Sequence, residues 1–369
     1  MLGLSPPGRA AELRSVARRA RRVCLGAALF VGPLLAGCGD GAAETNAAEL
    51  PWAVGEWPSY SPPDAAQAQL GKLLFYDPVL GADGTTACAT CHSEHWGMGD
   101  GLPVSVGLDG VGAVGPGRDG VNRTRRNSQS LWNVAFRQRL FWDGRSPSLE
   151  EQVLSPLTEA VELGSSAAAV EEAIRGVPEY LRLFDGAFPG EPFEFTLVQR
   201  ALAAYQRLLV SDYAPYDRYV AGDLGALNER SLRGMRAFGR EGCADCHVPP
   251  RFELDRYVDR GHSGPDDLGR GEVTGDAADV GAFRVPSLRN LRETEPYFHA
   301  GTVPSIAGAV RAEIARDRGV EPSSVPQDIV DDIAYFLNKA LIDRTRDQPR
   351  PAHVPSGLPV PLDGFRVPR

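Results

Sequence analysis

The sequence predicts a mostly α chain arranged as two similar domains with long loops, and three observations carry that prediction. Few runs alternate apolar and polar residues with the period of two that strands require, whereas helical spacing of apolar residues recurs along the chain. Two pentapeptides share one pattern, Cys88-Ala89-Thr90-Cys91-His92 and Cys243-Ala244-Asp245-Cys246-His247. Each follows a helical stretch and precedes a loop, which divides the chain into two comparable halves.

Taken in order, Arg14, Arg18, Arg19, Arg21 and Arg22 precede an apolar stretch, 23–36, too short to remain in a bilayer as a spanning helix; this is the pattern of an export signal. The stretch stops at Leu35-Ala36-Gly37-Cys38, which resembles the bacterial lipoprotein processing box. On that reading 1–37 is removed and Cys38 carries lipid, so the protein sits in the periplasm and touches a membrane only through its anchor. Simple cleavage nearby, without lipid, is the alternative. Residues 38–60 read as a tether, 61–227 as the N-terminal domain, 228–345 as the C-terminal domain and 346–369 as a proline-rich tail. Ser61-Pro62-Pro63-Asp64 predicts a helix capped by Ser61 and running to about Phe75, with Leu70, Leu73 and Leu74 on one face. The glycine-rich stretch 97–120 predicts loops. Helices are expected at 166–174, opening like a capping box, and at 196–210, where Leu197, Ala201, Ala204, Leu208 and Leu209 share a face. Asn228 caps a helix that leads into the second pentapeptide, and 305–315 and 327–341 are the last helices.

Forty-eight acidic residues against 39 Lys and Arg give a formal charge of -9, and 1–37 holds six Arg and one Glu, so the remainder is more acidic still, near -14. Phosphate recognition needs clustered cations, which excludes nucleic acid as a partner. The 41 glycines and 30 prolines suit a loop-rich fold in which a large cofactor replaces part of the side-chain core. Of six cysteines, Cys24 falls in the signal and Cys38 takes the lipid; the other four lie in the pentapeptides, leaving no structural disulfide.

Cys-x-x-Cys-His presents two thiols to the two vinyl groups of a haem and then an imidazole to its iron. A lone Cys-x-x-Cys could instead be a redox dithiol or half a zinc site. Two copies, both with the adjacent histidine and in an exported chain, assign two covalently bound haem c groups, with His92 and His247 as proximal ligands and two cytochrome c-like domains around them. His95 and Met98 are the other candidates near the first motif, and both lie too close to His92 to cross the porphyrin plane. The first iron is therefore expected to be open, a state that suits activation of small molecules over simple electron transfer.

The chain resembles the bacterial dihaem cytochrome c peroxidase and MauG family over roughly 65–345. The resemblance is carried by Phe141-Trp142-Asp143-Gly144-Arg145 with Ser148-Leu149-Glu150-Glu151-Gln152, by Pro156-Leu157 and Val161-Glu162-Leu163-Gly164, and by Val285-Pro286-Ser287-Leu288-Arg289-Asn290 and Pro296-Tyr297-Phe298-His299-Ala300-Gly301. It implies two cytochrome c-like domains packed face to face. It also implies that Trp142 relays electrons between the haems, that Gln152 and Glu162 line the distal side of the first, and that Asn127 with the carbonyls of Thr294 and Pro296 holds calcium. Two departures from the family pattern stand out. The loop near Gly107-Leu108 lacks the distal histidine of peroxidases that need reductive activation, which places the chain in the MauG-like branch. Where the family has Met or Tyr fourteen residues after His299, this chain has Glu313, so a carboxylate or water is expected on the second iron. The implied substrate is hydrogen peroxide, cleaved with Glu162 moving the proton and Gln152 orienting it. The resulting high-valent state would be discharged by oxidising a dedicated substrate protein. The alternative is peroxide detoxification with electrons from a small cytochrome or copper protein. The 272–286 stretch also resembles the dihaem partner of methanobactin-type copper proteins. A dihaem electron carrier or haem sensor is the reading from another class.

Overall fold

The computed structural model describes residues 50–264 and 266–364; the signal, Cys38 and the start of the tether lie outside them. Among these residues no helix is long and apolar enough to cross a membrane. Helices carry nearly all regular structure. Helix α1 (Ala65–Tyr76) is capped by Asp64, whose carboxylate accepts from the amides of Ala66 and Gln67 at 2.9 and 3.0 Å. Ser61 does not cap it: the helix begins only at Ala65, three residues later than that cap would set it, and Asp64 takes the cap position. Helix α2 (Ala167–Arg175) starts on Ser166, which accepts from Ala169 N at 3.1 Å; with alanine at that third position the expected reciprocal box reduces to a single cap. Helix α3 (Pro178–Ala187) was not foreseen, although Pro178 occupies a helix-starting position. Helix α4 (Phe195–Arg207) stops before Leu208, and α5 (Glu229–Arg240) starts on Asn228 as expected. The last long helices are α6 (Ile306–Arg318) and α7 (Gln327–Ala340). One two-stranded antiparallel sheet, β1 (Leu254–Asp259) with β2 (Ala282–Val285), was also unforeseen.

Two apolar clusters form the core. The first gathers α1, α2, α3 and α4 through Leu70, Leu74, Val170, Phe184 and Leu202; the second gathers α5, α6 and α7 through Phe238, Val310, Ile333 and Phe336. Each cluster is built on a close helix crossing that needs glycine. A Cβ on Gly71 of α1 would lie 1.8 Å from the Ala201 carbonyl oxygen of α4, and one on Gly234 of α5 would lie 2.0 Å from that of Asp332 in α7. The chain ends are exchanged between clusters. Trp52, in the segment read as tether, packs edge-on to Phe238 and Phe252 of the second cluster and donates to the Tyr216 hydroxyl at 2.9 Å. The tail returns to the first cluster, where Val354 is buried.

A local repeat links the two halves. Ser130-Leu131-Trp132-Asn133 and Ser287-Leu288-Arg289-Asn290 both end in a left-handed asparagine, φ 63° and 61°, followed by a 3-10 turn. At the same interval beyond come Phe141 and Phe298, φ 69° and 68°, then Trp142 and His299, and then the helix-capping serines Ser148 and Ser305. The two asparagines meet through Ser211: Ser211 N donates to Asn133 Oδ1 at 2.8 Å, and Asn290 Nδ2 donates to Ser211 Oγ at 3.0 Å.

Candidate functional site

Both Cys-x-x-Cys-His motifs fold as single tight turns, Cys88–Cys91 as one α-turn and Cys243–Asp245 as a 3-10 turn started by left-handed Gly242. The four cysteines of the two motifs form no disulfide, which leaves their sulfurs available to a cofactor. Each histidine is held by its Nδ1. That of His92 donates to the Met98 carbonyl at 2.9 Å, with Ser128 Oγ at 3.2 Å; that of His247 lies 3.1 and 3.2 Å from the Pro286 and Phe252 carbonyls. Nε2 of each imidazole is left with its lone pair, the tautomer an iron ligand needs. Met98 thus serves the proximal side through its backbone. His95 is largely exposed, 3.5 Å from Asp363.

A cavity opens beside each motif. The first, about 660 Å³ including its mouth, is lined by Cys88, Cys91, His92, Gln152, Glu162 and Gln206 among apolar side chains. Gln152 and Glu162 therefore stand together with His92, although the chain from 149 to 164 runs through two short helices and a turn to bring them there. No second histidine and no methionine lines this cavity among the described residues. Burial pushes the Glu162 carboxyl up to about 7, against the pull of Arg145 and with the push of Glu159. Gln206, on α4, was missed by sequence reasoning; it is a polar residue on the otherwise apolar, buried face of that helix, and that was its only signal.

The second cavity, about 1800 Å³ including its mouth, is lined by Cys243, Cys246 and His247. Asn127, Trp142, Thr294, Pro296 and Glu313 line it too. Four arginines, Arg137, Arg260, Arg284 and Arg289, reach its wall. Arg284 is buried with Nε and Nη2 unpartnered, and the indole nitrogen of Trp132 on the same wall is also unpartnered. Buried donors without acceptors are costly unless an acceptor fills the space, and the carboxylates of a haem are acceptors of that kind. The donor set thus fits the group that the thiols and imidazoles imply. Glu313 is already engaged, with Arg260 Nε donating to its Oε2 at 2.8 Å and His262 Nε2 2.5 Å from its Oε1.

Trp142 is fixed from every side. Its indole N–H donates to the Asn127 carbonyl at 2.9 Å, and its own carbonyl accepts from Arg284 N at 2.8 Å. The neighbouring Asp143 is bound by Arg126 at 2.6 Å, and Arg126 also grips Asp267 at 2.6 Å. Trp142 lines the second cavity and not the first. Asn127 Nδ2 donates to the Leu102 and Pro103 carbonyls at 2.8 and 3.3 Å, and Asn127 lines the second cavity together with Thr294 and Pro296.

Residues 65–225 match the family described as di-haem cytochrome c peroxidase. The methylamine utilization protein MauG of Methylorubrum extorquens is 38% identical over 253 residues, covering 68% of this chain and 69% of that protein. The cytochrome c551 peroxidase of Pseudomonas aeruginosa is 34% identical over 280 residues, covering 73% and 77%. A solved MauG-like protein associated with microbial copper homeostasis superposes with a TM-score of 0.66 at 28% identity, covering 79% of this chain and 95% of that one.

Proposed function

The chain belongs to the dihaem cytochrome c peroxidase and MauG family, and from that premise we propose that it cleaves hydrogen peroxide at the first haem and passes the oxidising equivalents to a partner protein. The coarser part is secure from kinship: it is a dihaem oxidoreductase of the peroxide-using kind, carrying haem c. The observation that carries the finer reading is Glu162, buried enough for its carboxyl to sit near neutrality, sharing a cavity with Gln152 and His92. Haem held there by Cys88, Cys91 and His92 would supply the iron and the electrons for splitting the O–O bond. Glu162 takes the proton from the near peroxide oxygen and delivers it to the far one, so that water leaves and not hydroxide. Gln152 orients the peroxide by hydrogen bonding. An electron carrier has no use for a proton-moving carboxylate in that place.

The choice of a protein substrate over plain detoxification rests on the second cavity, whose lining among the described residues has no methionine to raise the iron's potential. Trp142 is the relay between the sites in this reading. A calcium ion would suit the oxygen donors of Asn127, Thr294 and Pro296, which are the hard ligands it prefers. Two cytochrome c-like domains facing one another, export to the periplasm and anchoring through Cys38 belong to the same proposal. Its test is peroxide turnover by the two-haem protein and its Glu162→Gln variant. Loss of about 10²–10⁴-fold in rate, with both haems still attached, is expected; an unchanged rate would remove Glu162 from the chemistry. Incubation with peroxide and the neighbouring gene's product, followed by mass measurement of that product, separates protein oxidation from detoxification.

A further inference from the structure

The second cavity contains a histidine that none of the roles above uses. His262 follows β1 in the chain and lines the same cavity as His247. Its Nε2 lies 2.5 Å from Glu313 Oε1, and its ring stacks on Phe298 with centroids 4.0 Å apart and planes 17° from parallel. Glu313 is fixed in turn by Arg260, which donates through Nε to Oε2 at 2.8 Å and through Nη2 to the Glu313 backbone oxygen at 3.2 Å. Both carboxylate oxygens are thus occupied by donors. To bind iron, Glu313 would have to give up a charge-assisted hydrogen bond in a partly buried place.

The imidazole is in the opposite condition. With Nε2–H given to Glu313, Nδ1 keeps its lone pair, and it makes no hydrogen bond among the described residues. A histidine whose one nitrogen donates to a carboxylate while the other stays unengaged is arranged as metal-bound histidines are, with the carboxylate fixing tautomer and ring orientation. Phe298 fixes the plane of the ring, and its left-handed backbone, φ 68°, is part of the repeat that also sets His299.

We propose that His262 is the second axial ligand of the haem attached at Cys243 and Cys246, with Glu313 and Phe298 as its positioning residues. The position fourteen residues after His299 then supplies the ligand indirectly, by holding an imidazole that enters from the β1 loop. Two imidazoles close the iron and, lacking methionine sulfur, leave it at a lower potential than a His/Met site, which suits holding oxidising equivalents. The inference rests on haem binding at the second motif and not on peroxide chemistry at the first.

The test is low-temperature EPR and visible spectroscopy of the ferric two-haem protein, wild type and variants. A low-spin signal from the second haem is expected beside the signal of the first. His262→Gly should convert that low-spin signal to high-spin, and added imidazole should restore it. His262→Met, which keeps a ligating side chain, should stay low-spin with a raised reduction potential. Glu313→Gln should keep the low-spin state with altered g-values. A second haem that is high-spin in the wild type, or that is unchanged in His262→Gly, would overturn the assignment. Failure of the peroxide reading would show separately, in the first haem's signal and in the turnover of Glu162→Gln, neither of which enters the assignment of His262.

Discussion

Trp142 and His299 hold equivalent places in the two copies of one local structure, and they meet edge to face with ring centroids 6.3 Å apart and planes at 71°. Each follows a left-handed phenylalanine, and each stands the same distance before a helix-capping serine. His299 stacks on Phe283 at 3.7 Å, and burial pushes its imidazole down to about 4, so it stays neutral beside the indole. The meeting of the two copies therefore supplies one aromatic contact where each half alone has only a turn.

That contact predicts a division of labour. Trp142→Phe keeps an aromatic ring but removes the indole N–H bond to Asn127 and the readily oxidised indole on which the proposed relay depends. Both haems should attach with unchanged ferric spectra. Rapid-freeze EPR after peroxide addition should show both ferric signals lost in the wild type and only the first lost in the variant. Equal loss of both signals in Trp142→Phe would exclude the indole as the relay.

The pH profile follows from Glu162. Its carboxyl, pushed up to about 7 by burial, must be ionised to accept the peroxide proton. The kcat/KM for peroxide should therefore rise with pH through about 7 and level off above it. Below that point it should fall about tenfold per pH unit, as the ionised fraction does. In Glu162→Gln the rise should disappear along with most of the rate. A wild-type profile flat from pH 5 to 9 would contradict the assignment.

A buried charge cluster joins β1, β2 and the loop before Trp142. Glu253 is fully buried and accepts from Arg251 Nη1 at 2.8 Å, with Arg137 Nε and Arg284 Nη1 each at 3.3 Å. Burial alone would raise its carboxyl, but Arg137, Arg284 and Arg251 together hold it below the usual range. A depressed carboxylate stabilises the fold above its unfolded pKa, and that contribution is lost as pH falls through the folded value. Glu253→Gln leaves three arginine charges short of a partner, and breaking a buried pair in this way costs about 3–5 kcal/mol. Denaturant unfolding should show that loss at pH 7 and a shallower further loss toward acid than in the wild type.

The features legible in the sequence were those written locally. The Cys-x-x-Cys-His turns, the Asn228 cap and the loops of 97–120 follow from spacing and turn chemistry within a few residues. Gln152 and Glu162 were legible only through the family's spacing, since two short helices intervene. His262 was not legible, because what gives it meaning is Glu313, 51 positions later on α6. The repeat escaped notice because its copies share backbone conformation more than residues: Trp132 answers Arg289, and Trp142 answers His299. Trp52 read as tether for the same reason, its partners Phe238, Phe252 and Tyr216 lying far along the chain.

The tail gives the last prediction. Its described residues, 346–364, are proline-rich and form no helix, so what holds them in place is what they touch. Ser356 Oγ donates to Asp77 Oδ1 at 2.6 Å, and Arg350 Nε donates to Glu94 Oε1 at 3.0 Å. Asp363 accepts from Ser93 Oγ at 2.6 Å and pairs with Arg350, while Gly364 N donates to the Val114 carbonyl at 2.7 Å. Ser93 is the residue after His92, and Glu94 the next, so the tail buttresses the segment that carries the first proximal ligand. Exposed ion pairs contribute little, but these are largely buried and share Arg350 with the apolar contact of Val354. Deleting 350–369 should therefore lower the thermal midpoint of the two-haem protein by several degrees, about 2–4 °C for each kcal/mol lost in a domain of this size. The first haem's EPR signal should broaden as His92 loses its fixed setting, while the second haem's signal stays sharp. Equal broadening of both, or of neither, would show that the tail does not act through the first motif.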